Sequence, residues 1–180
     1  MRSNLHRLAA LLHLLSTAAL WVAGVGLVAM TAATAWQVFG RYVLNSSPSW
    51  TEPVSLILMG WFIFLGAAAG VREDTHLGFD VLVTVVPAKV AVAMRFLSDL
   101  AVIVFGAGMA YFGALLAAGT WSATIPVLRL PGTVEYVSIV LGGVLIALFG
   151  LEKLVRRLAG MAPAHVPVDE ARAEEAVWNS

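Results

Sequence analysis

Four histidines are the side chains in this sequence best suited to ligate a haem or a metal: His6, His13, His76 and His165. Haem ligation by paired histidines needs two of them at matching depth on facing helices. His13 lies near one end of the first apolar stretch and the other three lie outside such stretches, so no pair meets this requirement. The chain has no cysteine, which also excludes thiolate ligands. We therefore expect no catalytic, cofactor-binding or metal-binding residue.

Glu52 and Arg72 flank the second apolar stretch and carry the charges that a helix dipole favours at its two ends. Pro53 is tolerated in a first helical turn, and Thr51 or Ser49 is the expected N-cap. A structural role explains Glu52 as well as recognition of a partner does. Arg72 is expected to extend toward the lipid headgroups.

Arg95 and Asp99 stand one helical turn apart at the start of the third apolar stretch, and this spacing predicts an ion pair. No acidic or basic residue occupies the middle of any apolar stretch. A solute pathway through a membrane normally needs ionisable groups or interrupted helices at that depth. The chain by itself is therefore not expected to conduct a solute.

The elements that position these residues follow from a composition that is 60% hydrophobic and 12% charged. Typical soluble domains have about 25% charged residues. A helix of roughly 20 apolar residues crosses a bilayer, and four stretches reach that length. The sequence therefore predicts an all-α integral membrane protein with a four-helix membrane domain over residues 1–160. The expected spans are about 14–39, 53–72, 96–119 and 132–153.

Two further segments do not fit a span. Residues 77–89 are apolar but too short to cross, and we expect them to lie in the membrane interface between the second and third spans. Residues 161–180 are polar and are predicted to form a flexible cytoplasmic tail. The N-terminal run has features of a secretory signal, but its apolar core exceeds the typical limit of about 15 residues. We expect it to be retained as a membrane anchor.

The cations divide unevenly between the two faces that four spans define. Only Arg41 and Arg129 fall on one face, and the other 9 of the 11 lysines and arginines fall on the opposite one. Because such residues concentrate on the cytoplasmic side of membrane proteins, both termini are predicted to be cytoplasmic. The formal net charge is zero, which gives no reason to expect a nucleic-acid partner.

Small residues recur at helical spacing in two of the spans. The third span has one at every fourth position: Gly106, Ala110, Ala114 and Ala118. The second has Gly66 and Gly70 in a G-x-x-x-G pattern. Small residues let helix backbones approach closely in lipid. We expect these faces to pack within this subunit, with a partner subunit as the alternative.

The region from Arg41 to Asp80 resembles the signature of the small membrane subunit of tripartite ATP-independent periplasmic (TRAP) transporters, the DctQ-like family. The matching elements, in order, are Arg41-Tyr42, Trp50, Glu52, Trp61, Phe64-Leu65-Gly66-Ala67, Arg72, His76 and Asp80. A second, weaker match is IPVLRLPGTVEY, in which Pro131 and Tyr136 resemble the approach to the family's fourth helix. One departure is that the family usually has a second glutamate where this chain has Pro53.

The resemblance implies one subunit of a three-part secondary transporter in the bacterial inner membrane. A periplasmic protein captures an organic acid such as a C4-dicarboxylate, and a large membrane subunit performs sodium-coupled transport. The small multi-pass subunit resembles a fixed scaffold. Its expected partners are therefore the large permease subunit, the periplasmic binding protein and membrane lipid.

Under this hypothesis the second helix is held against the large subunit by Trp50, Glu52 and Trp61. The cytoplasmic turn that follows is ordered by Arg72, His76 and Asp80. Two alternatives are a stand-alone four-helix channel or exporter, which would have to oligomerise, and a membrane redox subunit, which the histidine positions disfavour.

Overall fold

The computed structural model describes the backbone of residues 2–46, 48–73 and 88–158, and the side chains from residue 11 to 46, 48 to 73 and 90 to 158. The predicted tail lies outside the described residues. The same holds for the predicted interfacial segment, except for the two residues that begin the third helix.

Four long helices account for most of the described chain. They are α1 (Arg2–Tyr42), α2 (Thr51–Arg72), α3 (Ala88–Gly119) and α4 (Thr133–Leu158). Each contains a stretch long and apolar enough to cross a membrane, which fits the predicted integral membrane protein with four helices. The α3 helix begins at Ala88, before the predicted span, because a charged side chain such as Arg95 leaves the backbone hydrogen bonds of a helix intact.

The helices form a row in the order α1, α2, α4, α3. Extensive contacts join α1 to α2, α2 to α4 and α4 to α3. A small buried core lies where α1, α2 and α4 meet, and its members are Leu12, Ala68, Ile146 and Phe149. The outward faces carry large exposed apolar side chains, such as Phe105 and Phe112 on α3. Lipid tails are as apolar as these side chains, so the row is suited to a bilayer.

Two adjacent glycines let α4 occupy an inner position in the row. A Cβ atom added to Gly142 would lie 2.6 Å from the Cβ of Phe64 on α2. A Cβ added to Gly143 would lie 2.6 Å from the backbone N of Ala110 on α3. Successive helical residues point about 100° apart, so each glycine faces a different neighbour. The α4 helix therefore packs closely against both α2 and α3.

Close contact between α3 and α4 occurs at glycines that are spaced seven residues apart on each helix. Gly106 of α3 lies at the backbone of Gly143, where an added Cβ would be 2.9 Å from the carbonyl O. Gly113 lies against Ile139, and Gly150 of α4 lies against Ile103. Seven residues are close to two helical turns, so residues with this spacing stay on one face over the length of the contact.

The predicted stripe of small residues on α3 diverges from this contact along the helix. Gly106 is buried and the backbone of Ala110 meets Gly143, whereas Ala114 and Ala118 are exposed. Each step of four residues rotates by about 40° around a helix, which carries the last two members away from α4. On α2, Gly66 faces Ala23 of α1, to which an added Cβ would lie at 3.9 Å.

A short connection reverses the chain between α3 and α4. It contains an antiparallel pair of two-residue strands, β1 (Thr124–Ile125) and β2 (Leu130–Pro131), and these are the only strands in the described ranges. The turn places Arg129 at φ 53°, in the left-handed region. Proline cannot continue an α-helix without losing a hydrogen bond, so Pro126 and Pro131 favour the interruption here.

Thr133 links the start of α4 to the end of α3, because its Oγ1 donates to the Ala117 carbonyl at 2.8 Å. We expect Thr133→Val to lower the free energy of unfolding by about 1 kcal/mol, since one interhelical hydrogen bond is lost. Thr34→Val is the matched control, because the Thr34 hydroxyl donates to Met30 of its own helix. Denaturant titration in detergent micelles measures both variants, and equal stabilities would contradict the prediction.

Candidate functional site: a charged cluster and the start of the second helix

Ionisable side chains from three helices meet where α2 and α4 end and the apolar part of α3 begins. We call this group the charged cluster, and its members are Arg72, Asp99, Glu152, Lys153, Arg156 and Arg157. Antiparallel packing places the end of α2, the start of the apolar part of α3 and the end of α4 at the same level. The cluster therefore lies at one boundary of the apolar spans.

Glu152 joins the two inner helices of the row. Its Oε2 lies 3.5 Å from the Nε of Arg72 on α2, and its Oε1 lies 3.0 Å from Nη2 of Arg156, one turn further along α4. The Glu152 side chain is only 9% exposed. The Arg72 guanidinium also stands 5.9 Å above the centre of the Phe149 ring, a cation–π distance. Arg72 thus faces its neighbouring helix, whereas the sequence predicted that it would extend to the headgroups.

Asp99 joins α3 to α4. Its side chain is 4% exposed and forms ion pairs with Arg157 and with Lys153, whose Nζ lies 3.7 Å from Oδ1. The sequence predicted a partner on the same helix, Arg95, which is exposed. The structure adds two cations from another helix, which spacing along one helix could not indicate.

The two buried carboxylates act as interhelical clamps. A carboxylate removed from water is stabilised only when cations and hydrogen bonds replace its hydration, and among the described residues each has at least two cationic partners. The sequence indicated this arrangement only in part, because the four predicted spans place these six charged residues on the same face of the membrane. Within the described part of the chain, no three histidine, aspartate or glutamate side chains gather as metal ligands would.

The start of α2 forms a second candidate site, at the opposite boundary of the apolar spans from the charged cluster. Trp50 and Glu52 are exposed there, while Thr51 between them is fully buried. The expected N-cap was wrong: the cap position is Trp50, no side chain caps it, and the Thr51 hydroxyl donates to the carbonyl of Pro48 at 2.8 Å. Burial of Thr51 turns its two neighbours outward.

The other predicted interface residues are distributed along the chain. Trp61 packs against a cluster of Ala19, Ala23 and Leu65 between α1 and α2. Gly70 is half-buried on α2, and Arg41 is exposed near the end of α1. His76 and Asp80 lie outside the described residues. The structure thus brings Trp50 and Glu52 together and places Trp61 and Arg72 against helices of this chain.

Comparison with known proteins matches this chain to one family. The family model described as tripartite ATP-independent periplasmic transporters, DctQ component, matches residues 30–160. This match covers α2, α3 and α4 with their connections and the C-terminal part of α1. It therefore includes both candidate sites.

Three curated relatives agree with the family match. The chain is 32% identical to the C4-dicarboxylate TRAP transporter small permease protein of Vibrio cholerae over 94 residues, which are 52% of this chain and 38% of that protein. It is 28% identical over 122 residues to a putative TRAP transporter small permease protein of Haemophilus influenzae, covering 64% of this chain and 71% of that protein. A Pseudomonas aeruginosa small permease protein is 46% identical over 44 residues, 24% of this chain and 21% of that protein. The chain belongs to the DctQ family, the small permease subunits of TRAP transporters.

Proposed function

We propose that this subunit is a static scaffold for the large sodium-coupled permease subunit of a TRAP transporter. The observation that carries the proposal is the position of charge. The described charged side chains of α1, α2 and α4 lie within about two turns of a helix end, and those of α3, Arg95 and Asp99, precede the uncharged stretch from Leu100 to Gly119. Sodium and a carboxylate need polar ligands along their pathway. The pathway would therefore belong to the larger partner.

The interhelical contacts support a rigid role. Gly142 and Gly143 bring α4 close to both neighbours, and the charged cluster joins α2 and α3 to α4 at one end. Close-packed backbones and paired buried charges have few alternative arrangements of similar energy. A partner that moves during transport would gain a fixed reference surface from such a row of helices.

The exposed start of α2 is our proposed contact with the large subunit. Trp50 offers a large rigid apolar surface and Glu52 a carboxylate, and exposed aromatic side chains commonly anchor protein interfaces. Trp61 would act indirectly by fixing α2 against α1. Further proposed contributors to the interface or to the turn after α2 are Arg41, Gly66, Gly70, Arg72, His76 and Asp80.

The cation distribution and the family support a proposed orientation and a proposed class of solute. Both termini and the charged cluster would face the cytoplasm of a bacterial inner membrane, and the start of α2 would face the periplasm, within reach of the binding protein. The Vibrio cholerae and Pseudomonas aeruginosa relatives are named for C4-dicarboxylates. We propose uptake of an organic acid that bears a carboxylate.

Replacing Glu52 tests the proposed interface. We expect Glu52→Gln to lower recovery of a co-expressed large subunit in pull-downs by about fivefold, because one hydrogen bond to a charged group contributes roughly 1 kcal/mol or more. Glu135→Gln is the matched control, since Glu135 is an exposed first-turn carboxylate of α4 at the same boundary of the apolar spans as Glu52. Equal recovery for the two variants would remove Glu52 from the interface.

Reconstitution tests the scaffold role itself. With an inward sodium gradient, the purified subunit in liposomes is expected to leave organic-acid uptake at the level of empty vesicles, and the complete three-part system is expected to restore uptake. Transport by the small subunit alone would contradict the proposal and favour a stand-alone channel.

A further inference from the structure

We propose that the outward face of α1 is the docking surface for a membrane-spanning helix of the large permease subunit. The outward face is the side of α1 that points away from α2, the helix with which α1 makes extensive contacts in the described part of the chain. The inference rests on the proposed function, because it names the surface by which the scaffold holds its partner. It adds a second contact to the one proposed at the start of α2.

Exposure along α1 peaks at intervals of seven residues. The four most exposed large hydrophobic residues in the described part of α1 are Leu14 (65%), Trp21 (72%), Val28 (70%) and Tyr42 (76%). Seven residues are close to two helical turns, so these four lie in one line along the helix. The buried Ala19 and Ala23 pack toward α2 on the other side. The line therefore runs along the centre of the outward face.

Small residues beside this line form a groove. Thr17, Gly24 and Thr31 follow the same seven-residue interval, each three positions after a member of the line. A Cβ added to Gly24 meets nothing within 4 Å. The groove is lined by α1 residues between 17 and 32, and a second groove continues it from residue 30 to 43. Large side chains that alternate with gaps along one face form the surface into which a second helix packs.

Hydroxyl groups on this face distinguish it from the other edge of the row. Thr17, Thr31 and Thr34 are exposed in the two grooves, and each hydroxyl donates to the carbonyl four residues earlier in α1. The other edge helix, α3, has no serine or threonine from Leu100 to Gly119. A hydroxyl oxygen also accepts hydrogen bonds, and a neighbouring helix offers donors that lipid tails lack. The hydroxyls therefore favour a protein neighbour beside α1 and lipid beside α3.

Trp21 lies at a depth that membrane anchoring does not explain. It stands between Ala19 and Ala23 in the sequence, and these two pack against Leu65 of α2. Leu65 is roughly 10 Å along the helix from Arg72, which lies at the boundary of the apolar spans. Tryptophans that anchor a membrane protein lie at the level of the headgroups. A large aromatic side chain exposed within the apolar span is instead typical of a residue that anchors a protein interface.

The surface is large enough for a stable interface and adjoins the start of α2. The exposed parts of its side chains amount to on the order of 1,000 Å², and a specific interface buries about 800 Å² on each partner. After Tyr42 the chain passes back over Gly40, where an added Cβ would lie 3.0 Å from the Cδ of Pro48. Trp50 therefore follows at the same boundary as Tyr42, and one partner can contact both surfaces.

Photocrosslinking identifies what covers this face. The photoreactive residue p-benzoylphenylalanine replaces Trp21 in one variant and Tyr111 in the control, because Tyr111 is an aromatic residue of α3 that is 63% exposed. Each variant is co-expressed with a tagged large subunit, and the recovered complex is irradiated. We expect a covalent product with the large subunit from position 21 and none from position 111. No product from position 21, equal product from both positions, or a covalent dimer of this subunit in its place would overturn the proposal.

Filling the groove gives an independent measurement. Gly24→Leu adds a side chain to the groove, and Gly108→Leu on α3 is the matched control, because a Cβ added at either position meets nothing within 4 Å. We expect Gly24→Leu to lower recovery of the large subunit by about fivefold or more through overpacking, without lowering the unfolding midpoint of the isolated subunit. Recovery should be unchanged for Gly108→Leu.

The wild-type chain separates failure of this inference from failure of the proposed function. If wild type does not recover the large subunit, the scaffold role itself is wrong. If wild type recovers it and both α1 variants behave as their α3 controls do, the scaffold role stands and the outward face of α1 is not the docking surface.

Discussion

Glu152→Ala is expected to lower the free energy of unfolding by about 3 kcal/mol, because removal of one member of a buried ion pair leaves its partner desolvated and uncompensated. Glu152 is the acceptor for Arg72 and Arg156 at once, and it connects α2 to α4. Its loss would leave the largely buried Arg72 side chain with the Phe149 ring as the one remaining partner for its charge among the described residues. The effect should therefore exceed that of removing an ordinary surface ion pair.

Denaturant titration in micelles, followed by the fluorescence of the six tryptophans, measures this loss. Glu135→Ala is the control on the same helix, because that carboxylate is exposed, and we expect a change of less than about 0.5 kcal/mol. Stability of Glu152→Ala equal to that of the control would show that water screens the cluster and that it does not clamp the helices.

A triple substitution separates the cost of an unpaired buried charge from a direct contribution of ionic attraction to stability. Arg72→Met with Glu152→Leu and Arg156→Met replaces the whole triad by apolar side chains of similar volume. Such replacements are often neutral or stabilising, so we expect stability within about 1 kcal/mol of wild type. A loss as large as that of Glu152→Ala would mean that ionic attraction contributes directly to the native state.

Gly143→Ala is expected to destabilise the protein by about 3 kcal/mol, because the added methyl group has no space between α3 and α4. It would lie 2.6 Å from the backbone N of Ala110, 2.8 Å from the carbonyl O of Gly106 and 2.9 Å from the Cβ of Met109. Backbone atoms cannot rotate aside as the end of a long side chain can. The two helices would have to separate, and contacts along their whole crossing would weaken.

Gly108→Ala is the matched control on α3. A Cβ added there meets nothing within 4 Å, so the substitution is expected to be neutral or to stabilise by up to about 1 kcal/mol through its better helix propensity. Thermal unfolding of both variants in the same detergent gives the comparison. Equal midpoints for Gly143→Ala and Gly108→Ala would contradict close approach of α3 and α4 at Gly143.

The Gly143→Ala and Glu152→Ala substitutions also bear on function. If rigidity of the row is what the large subunit requires, Gly143→Ala and Glu152→Ala should reduce complex recovery in proportion to their loss of stability. Glu52→Gln should instead reduce recovery without changing the unfolding midpoint. The two classes of variant thus distinguish a damaged scaffold from a damaged contact.

The sequence by itself determined the membrane architecture and the family. Four uncharged stretches of bilayer length are expected to be helices, because a helix pairs every backbone N–H and C=O group within its own segment and hydrocarbon offers no other partner. The signature from Arg41 to Asp80 indicated the DctQ family, which the family match over residues 30–160 confirmed. These conclusions depend on local composition and order along the chain.

Tertiary structure alone decided which side chains meet. Arg72 and Glu152 are 80 residues apart, and Asp99 pairs with Lys153 of α4, so spacing along one helix could not reveal either pair. The small-residue stripe was predicted every fourth position, whereas contact follows Gly106 and Gly113 because seven residues are closer to whole helical turns. Periodicity fixes the face on which a residue lies, but partners depend on helix order and depth, which only packing establishes.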